Sequence, residues 1–109
     1  MKSFIKESER IILSALISGS NCPSIEVPQK NCEVDVDYSG AGYFLTYRSN
    51  NLPTKRYVLD TPKIHGWYGK TQVGFIAFVE DSEIMLECYT FTGDFSPEDR
   101  ECEYRADSA

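Results

Sequence analysis

Histidine and tryptophan occur once each in this chain, and methionine twice. With His65 as the sole imidazole, a multi-histidine metal centre is excluded. Nine residues separate Cys22 from Cys32, and thirteen separate Cys88 from Cys102. Structural zinc ligands commonly come in pairs spaced two to four apart, so these four thiols do not form a zinc motif. Glycine is too sparse for a phosphate loop: Gly66, Gly69 and Gly74 match neither the P-loop nor the dinucleotide spacing. No apolar run reaches the length of a membrane span. Ile11 to Ile17 has the apolarity of a signal-peptide core, but Glu7 and Glu9 stand where a basic leader is expected and no A-x-A site follows. Asn21 before Cys22 replaces the small residue of a lipobox. The compartment reads as cytoplasmic with reduced thiols, and neither a cofactor nor a metal is expected. The rival compartment is an exported domain with two disulfides, which four titratable thiols in denatured, unreduced protein would exclude.

Positive charge is also scarce, and unevenly so. Residues 1 to 79 carry nine Lys/Arg and seven Asp/Glu, whereas residues 80 to 109 carry two and ten, a net of −8 in the last thirty residues. The whole chain stands at −6. Such a field repels nucleic acid and anionic membrane and attracts basic proteins. The plainer reading is a surface that keeps the protein soluble.

At 109 residues the chain is one domain, 1–109, with a modest core. Its most apolar stretch is a β-hairpin. Val73 to Val79 is apolar without interruption, which predicts a central strand covered on both faces, because successive side chains point to opposite sides. Glu80 to Glu83 makes the turn, and Ile84 to Thr92 returns, with Ile84, Leu86 and Cys88 on one face and Met85, Glu87, Tyr89 and Phe91 on the other. Upstream, residues 3 to 18 read as an amphipathic helix with Ile5, Ile12 and Leu16 on one stripe and Lys6, Glu7 and Arg10 in water; Gly19 ends it as a C′ glycine. Residues 20 to 33 form a loop that admits a short extended piece at Ile25–Val27. Glu33 to Tyr38 alternates as a one-sided strand, Tyr43 to Arg48 is a second, and Arg56 to Asp60 a third that stops before Pro62. Ile64 to Gly69 is an aromatic loop or irregular edge strand. Ser96 caps a short turn in the acidic segment 93–109, whose last residues, Arg105 to Ala109, fray. The fold class is α+β: an N-terminal helix packed on an antiparallel sheet of about five strands spanning residues 33 to 92.

No catalytic motif is present. His65 as a general base lacks a local partner, and surface or edge packing is the favoured role. Cys88, mid-strand on an apolar face, reads as a small hydrophobe. Asp35 and Asp37 share a strand face that reads as solvated, although a cleft there would suit a divalent cation or general acid work. Glu87, set among apolar neighbours, needs a donor if its face is buried.

Four segments, Gly42-Tyr43-Phe44-Leu45-Thr46, Val58-Leu59-Asp60-Thr61-Pro62, Val73-Gly74-Phe75-Ile76-Ala77-Phe78 and Leu86-Glu87-Cys88-Tyr89, together resemble the small bacterial immunity proteins of contact-dependent growth inhibition systems. They lie within residues 40 to 92, about half the chain, and consist mainly of strand and turn residues. The resemblance implies a cytoplasmic protein, not an enzyme, that binds a cognate toxin domain, often a nuclease, and blocks its active site. The acidic last third agrees with that, since a nuclease presents a basic cleft. The expected toxin-facing residues are Glu80, Asp81, Glu83, Asp94, Glu98, Asp99, Glu101 and Glu103, with Trp67 and Tyr68 as candidate anchors, either of which could instead belong to the core, the favoured place for Trp67. The alternative is a small-ligand binding protein or enzyme with a cavity between helix and sheet, lined by Tyr47, Phe75, Glu87 and Tyr89.

Overall fold

In a computed structural model that describes residues 1–23, 25–91 and 93–106, one helix packs on a seven-stranded antiparallel sheet. The elements run β1 (Lys2–Phe4), α1 (Glu7–Ser18), β2 (Glu33–Tyr38), β3 (Gly42–Arg48), β4 (Tyr57–Tyr68), β5 (Thr71–Glu80), β6 (Glu83–Thr90) and β7 (Glu103–Ala106). Their order across the sheet is β1-β2-β3-β6-β5-β4-β7, which puts the β5–β6 hairpin at the centre. Two residues join that hairpin, Asp81 and Ser82, with φ of 53° and 63°. Positive φ at both central positions is the type I′ geometry, whose twist matches that of the flanking strands. The loop before β4 closes over this turn, as the amides of Asp81 and Ser82 donate to the carbonyls of Thr54 and Pro53.

The core lies on one side of the sheet. Ile12, Leu13 and Leu16 of α1 meet Val34, Val36, Tyr43, Leu45, Leu59, Ile64, Val73, Phe75, Ala77, Val79, Ile84, Leu86 and Cys88, all buried. Cys22, Ile25 and Cys32, in and after the loop that follows α1, pack against the same cluster. Nothing in the described chain covers the opposite side, consistent with extents of 36 × 35 × 22 Å, the thickness of two layers. The sequence expectation that β5 is covered on both faces is therefore corrected. Its odd positions are buried under α1, whereas Ile76 and Phe78 stay partly open. Period-2 geometry demands an environment for each face, and along β5 the second environment comes from neighbouring side chains alone.

The sheet has seven strands because residues outside the expected 33–92 span pair at both edges. The helix begins at Glu7, since Lys2 to Phe4 pair with Glu33 to Asp35 instead. Ile5 is buried, but ahead of the helix. Arg105 and Ala106 do not fray; they pair with His65 and Ile64 as part of β7, while residues 107–109, like Ser24 and Thr92, lie outside the described residues. Residues 25–27 form no strand, and residues 93–102 form no helical turn at Ser96. Strand β4 runs through Pro62, correcting the expected stop. It does so with a bulge in which residues 60–63 oppose the single residue Ile76, and which contains the cis Thr61–Pro62 peptide. Pro62 cannot donate to a ladder, and the bulge removes the need. The segment from Ile64 to Tyr68, expected as a loop or edge, is a regular strand, paired on both sides from Ile64 to Trp67.

Gly19 does cap α1, but at φ −86°, so its left-handed freedom is not used. It is required by proximity: a Cβ there would lie 2.2 Å from the Thr61 carbonyl oxygen. Helix end and β4 bulge thus meet backbone to backbone. Replacing Gly19 with Ala is expected to destabilise the fold by about 1–3 kcal/mol, the range for overpacking. The check is a lowered urea midpoint, with an unchanged midpoint showing that the helix end can move away from the bulge.

Candidate functional site

Antiparallel partners lie on the same face, so the ladder registers define the uncovered surface row by row. One row runs Asp37, Phe44, Glu87, Ile76. The next runs Lys2, Asp35, Thr46, Met85, Phe78, Val58. On the other side of the first lie Tyr89, Gly74, His65 and Arg105. Together these place an aromatic and aliphatic centre, Phe44, Ile76, Phe78, Met85 and Tyr89, inside a charged margin. Val58 is 47% exposed and Phe91 58%, large apolar side chains that water does not favour.

Glycine 74 shapes this surface. A Cβ on it would lie 2.5 Å from Cζ of Tyr89, so the tyrosine ring lies over the bare backbone and meets Phe91 edge-on at 5.5 Å between centroids. Beside it the β4 bulge opens a cleft of about 320 Å³, lined by Ile64, His65, Ile76, Tyr89 and Phe91 among others, with Asp60 and Lys63 also on its wall. A second hollow, about 220 Å³, sits at the hairpin end between Phe78, Met85, Arg56 and the acidic turn residues.

The acidic residues expected to face a partner are split between the ends of the molecule. Glu80, Asp81 and Glu83 flank the β5–β6 turn, where Arg56 pairs with Glu80 at 3.1 Å and Arg48 with Glu83 at 2.6 Å. Asp94, Glu98, Asp99, Glu101 and Glu103 follow β6. Asp99 pairs with Lys6 at 3.6 Å, and Glu101 accepts the Ser8 amide at 2.6 Å. Among the described residues Asp81, Asp94, Glu98 and Glu103 have no ion pair. Trp67 stands on the open face with the Arg105 guanidinium 5.8 Å from its ring, rather than in the core. Tyr68 points the other way, into the buried side. Asp35 and Asp37, read from sequence as a solvated face, lie on the open surface with Glu87. The cavity anticipated between helix and sheet has its residues on opposite faces. Tyr47 and Phe75 pair with Ile84 and Cys88 on the core side, whereas Glu87 and Tyr89 alternate outward.

Sequence reasoning missed the polar centre of the core. Glu9 is completely buried and Arg100 is 4% exposed. The Arg100 guanidinium donates to Glu9 at 2.9 Å and 3.3 Å, to Ser3 Oγ at 2.9 Å and to the Phe4 carbonyl at 2.6 Å. Glu9 also accepts the Tyr43 hydroxyl at 2.7 Å and the Lys6 amide at 2.8 Å, the latter capping the helix. The Tyr68 hydroxyl lies 3.0 Å from that of Tyr43 and donates to the Arg100 carbonyl at 3.1 Å. Every member has partners, which is the condition for burying such a network. Burial, then the charge of Glu9, pushes the Tyr43 pKa well above 10.0. Burial, then the neighbouring Cys88, does the same to Tyr68, and burial raises the Cys88 and Cys102 thiols. These groups stay protonated through the neutral range, and their hydrogen bonds tie α1 to β1, β3, β4 and the C-terminal segment. The only sequence signal for this network was a carboxylate at the third helical position, a common capping residue.

Replacing Arg100 with Met is expected to destabilise the fold by about 3–5 kcal/mol, because Glu9 is left charged and buried without its cation. A double variant that also carries Glu9→Leu recovers most of that loss in a urea titration. The raised tyrosine and thiol values set the pH response. The folded chain keeps protons that the unfolded chain releases above about pH 8.5 for Cys and 10 for Tyr, so unfolding free energy falls as pH rises. The contribution of these groups is full at pH 7.5 and reduced at pH 10.5. A urea midpoint unchanged between pH 7.5 and 10.5 would contradict this.

No family model matches the chain, and comparison with curated proteins and with solved structures found no match.

Proposed function

We propose that the chain is a non-catalytic, cytoplasmic binding protein that captures another protein on its uncovered sheet face. The partner that suits it best is the cognate toxin domain of a bacterial toxin and immunity pair, with a nuclease as the favoured class. The observation that carries the reading is the uncovered face itself. It is a central sheet surface bearing Phe44, Ile76, Phe78, Met85 and Tyr89, with charges at its margin, as protein interfaces are arranged. A net charge of −6 supports a basic partner, since it speeds encounter with positive surfaces. The resemblance of residues 40 to 92 to immunity proteins supports the same class. Inhibition then follows by occlusion: the sheet face seats on the toxin and its carboxylates occupy the positions that substrate phosphates would take.

The test is calorimetric titration with the toxin domain encoded beside its gene, at low and high salt. Tight binding is expected, weakening as salt rises. Phe78→Ser is expected to weaken it about tenfold or more, the effect of losing a central contact, with little change in melting temperature. Absence of binding at both salts would sink the immunity reading for that toxin, and tight binding indifferent to Phe78→Ser would move the contact away from this face.

A further inference from the structure

On β2, β5 and β6 the open face presents six carboxylates, and five have a cation. Lys2 serves Asp35 at 3.2 Å and Glu33 at 4.0 Å, the chain's amino group lies 3.9 Å from Asp37, and Arg56 and Arg48 serve Glu80 and Glu83. The sixth, Glu87, has no ion pair or hydrogen bond among the described residues. It is also the most central, in the middle strand of seven, between Phe44 on one side and Ile76 on the other. A half-buried carboxylate flanked by apolar side chains is poorly solvated, and a cation brought to it gains more than one at the margin.

Immediately beside Glu87 the ladder opens. Four residues of β4 oppose Ile76 alone, and the resulting cleft of about 320 Å³ has Ile76 and Tyr89 in its wall. Tyr89 lies two positions from Glu87 on the same face, a separation of about 7 Å along a strand. Asp60 and Lys63 at the cleft pair with each other at 4.0 Å, so neither supplies a lone charge. That volume lies at the small end of ligand pockets and suits one large side chain.

We propose that this face carries a two-part recognition site, in which the cleft at the β4 bulge receives one large apolar side chain of the protein partner and Glu87 receives a neighbouring lysine or arginine. The inference rests on the reading of the open face as a protein-binding surface and names what that surface recognises. Charge complementarity selects the basic residue: unlike the five other carboxylates that β2, β5 and β6 present on this face, Glu87 has no counterion among the described residues. Arginine is favoured over lysine because its planar group stacks on the rings of Phe44 and Tyr89 while pairing with the carboxylate. The two side chains stand about 7 Å apart, as residues i and i+2 of an extended segment do.

The probe is a library of random twelve-residue peptides displayed on phage and selected against the full chain, followed by anisotropy titration of the best synthetic peptide. Enriched peptides are expected to share a Lys or Arg two positions from a large apolar residue. Glu87→Gln, isosteric and on the surface, is expected to weaken binding tenfold or more, and that loss disappears when the peptide's basic residue is replaced by a neutral one. Phe91→Ala, at the exposed cleft wall, weakens binding through the apolar residue instead. Enriched peptides without a basic residue, Glu87→Gln binding as wild type, or no enrichment each overturn the proposal. So does a homodimer in light scattering that Phe78→Ser dissolves, since the occupant is then a second copy. Toxin or peptide binding that responds to Phe78→Ser but not to Glu87→Gln overturns this site while leaving the binding face intact, and loss of both readings requires that no toxin binds either.

Discussion

The buried pair of Glu9 and Arg100 is the constraint on which the arrangement depends. Its two residues come from opposite ends of the chain, and its hydrogen bonds reach β1, the start of α1, β3 and the end of β4. Two charges removed from water are tolerated only with full partnership, so the pair specifies where each of these segments must lie. The segment after β6 cannot trail as an acidic tail. Arg100 anchors it, Cys102 donates to Ser8, Tyr38 donates to Pro97, and β7 then adds to the sheet edge.

That anchoring makes the molecule one-sided. Helix, following loop and C-terminal segment all contribute to the same side, and the polar network consumes the donors and acceptors there. The other side of the sheet keeps its apolar centre, and no element among the described residues covers it. Along β2 and at Glu80 and Glu83 the carboxylates have nearby cations, whereas Glu87, in the middle strand, has no ion pair among the described residues. The functional reading follows from this asymmetry rather than from any constellation of reactive groups.

Much of the fold was legible. The alternation of β2 and the inward set Ile84, Leu86 and Cys88 of β6 each state a period of two, and the short apolar run of β5 before its turn marks the central strand though not its open face. Edge strands β1 and β7 were not legible, because three or four residues carry too little periodicity and their pairing depends on neighbours remote in sequence. Nor was the continuity of β4, where Pro62 argues locally for a stop and the bulge absorbs it. Of the candidate site, the membership of Met85, Glu87, Tyr89 and Phe91 in one face could be read by counting in twos. That Asp35, Asp37 and Phe44 share that face, and that the acidic residues of the last third are divided between two ends and partly engaged, could not.

Alone, the sequence determined the helix-then-strands order, the central hairpin with its turn within Glu80 to Glu83, and the sign of the charge, because propensity, side-chain alternation and ionisation are local properties. Tertiary structure decided which carboxylates are neutralised, which is buried and which stands alone, and which face stays bare. Those outcomes depend on distances between residues far apart in the chain, such as the 91 positions between Glu9 and Arg100, and no local pattern encodes them.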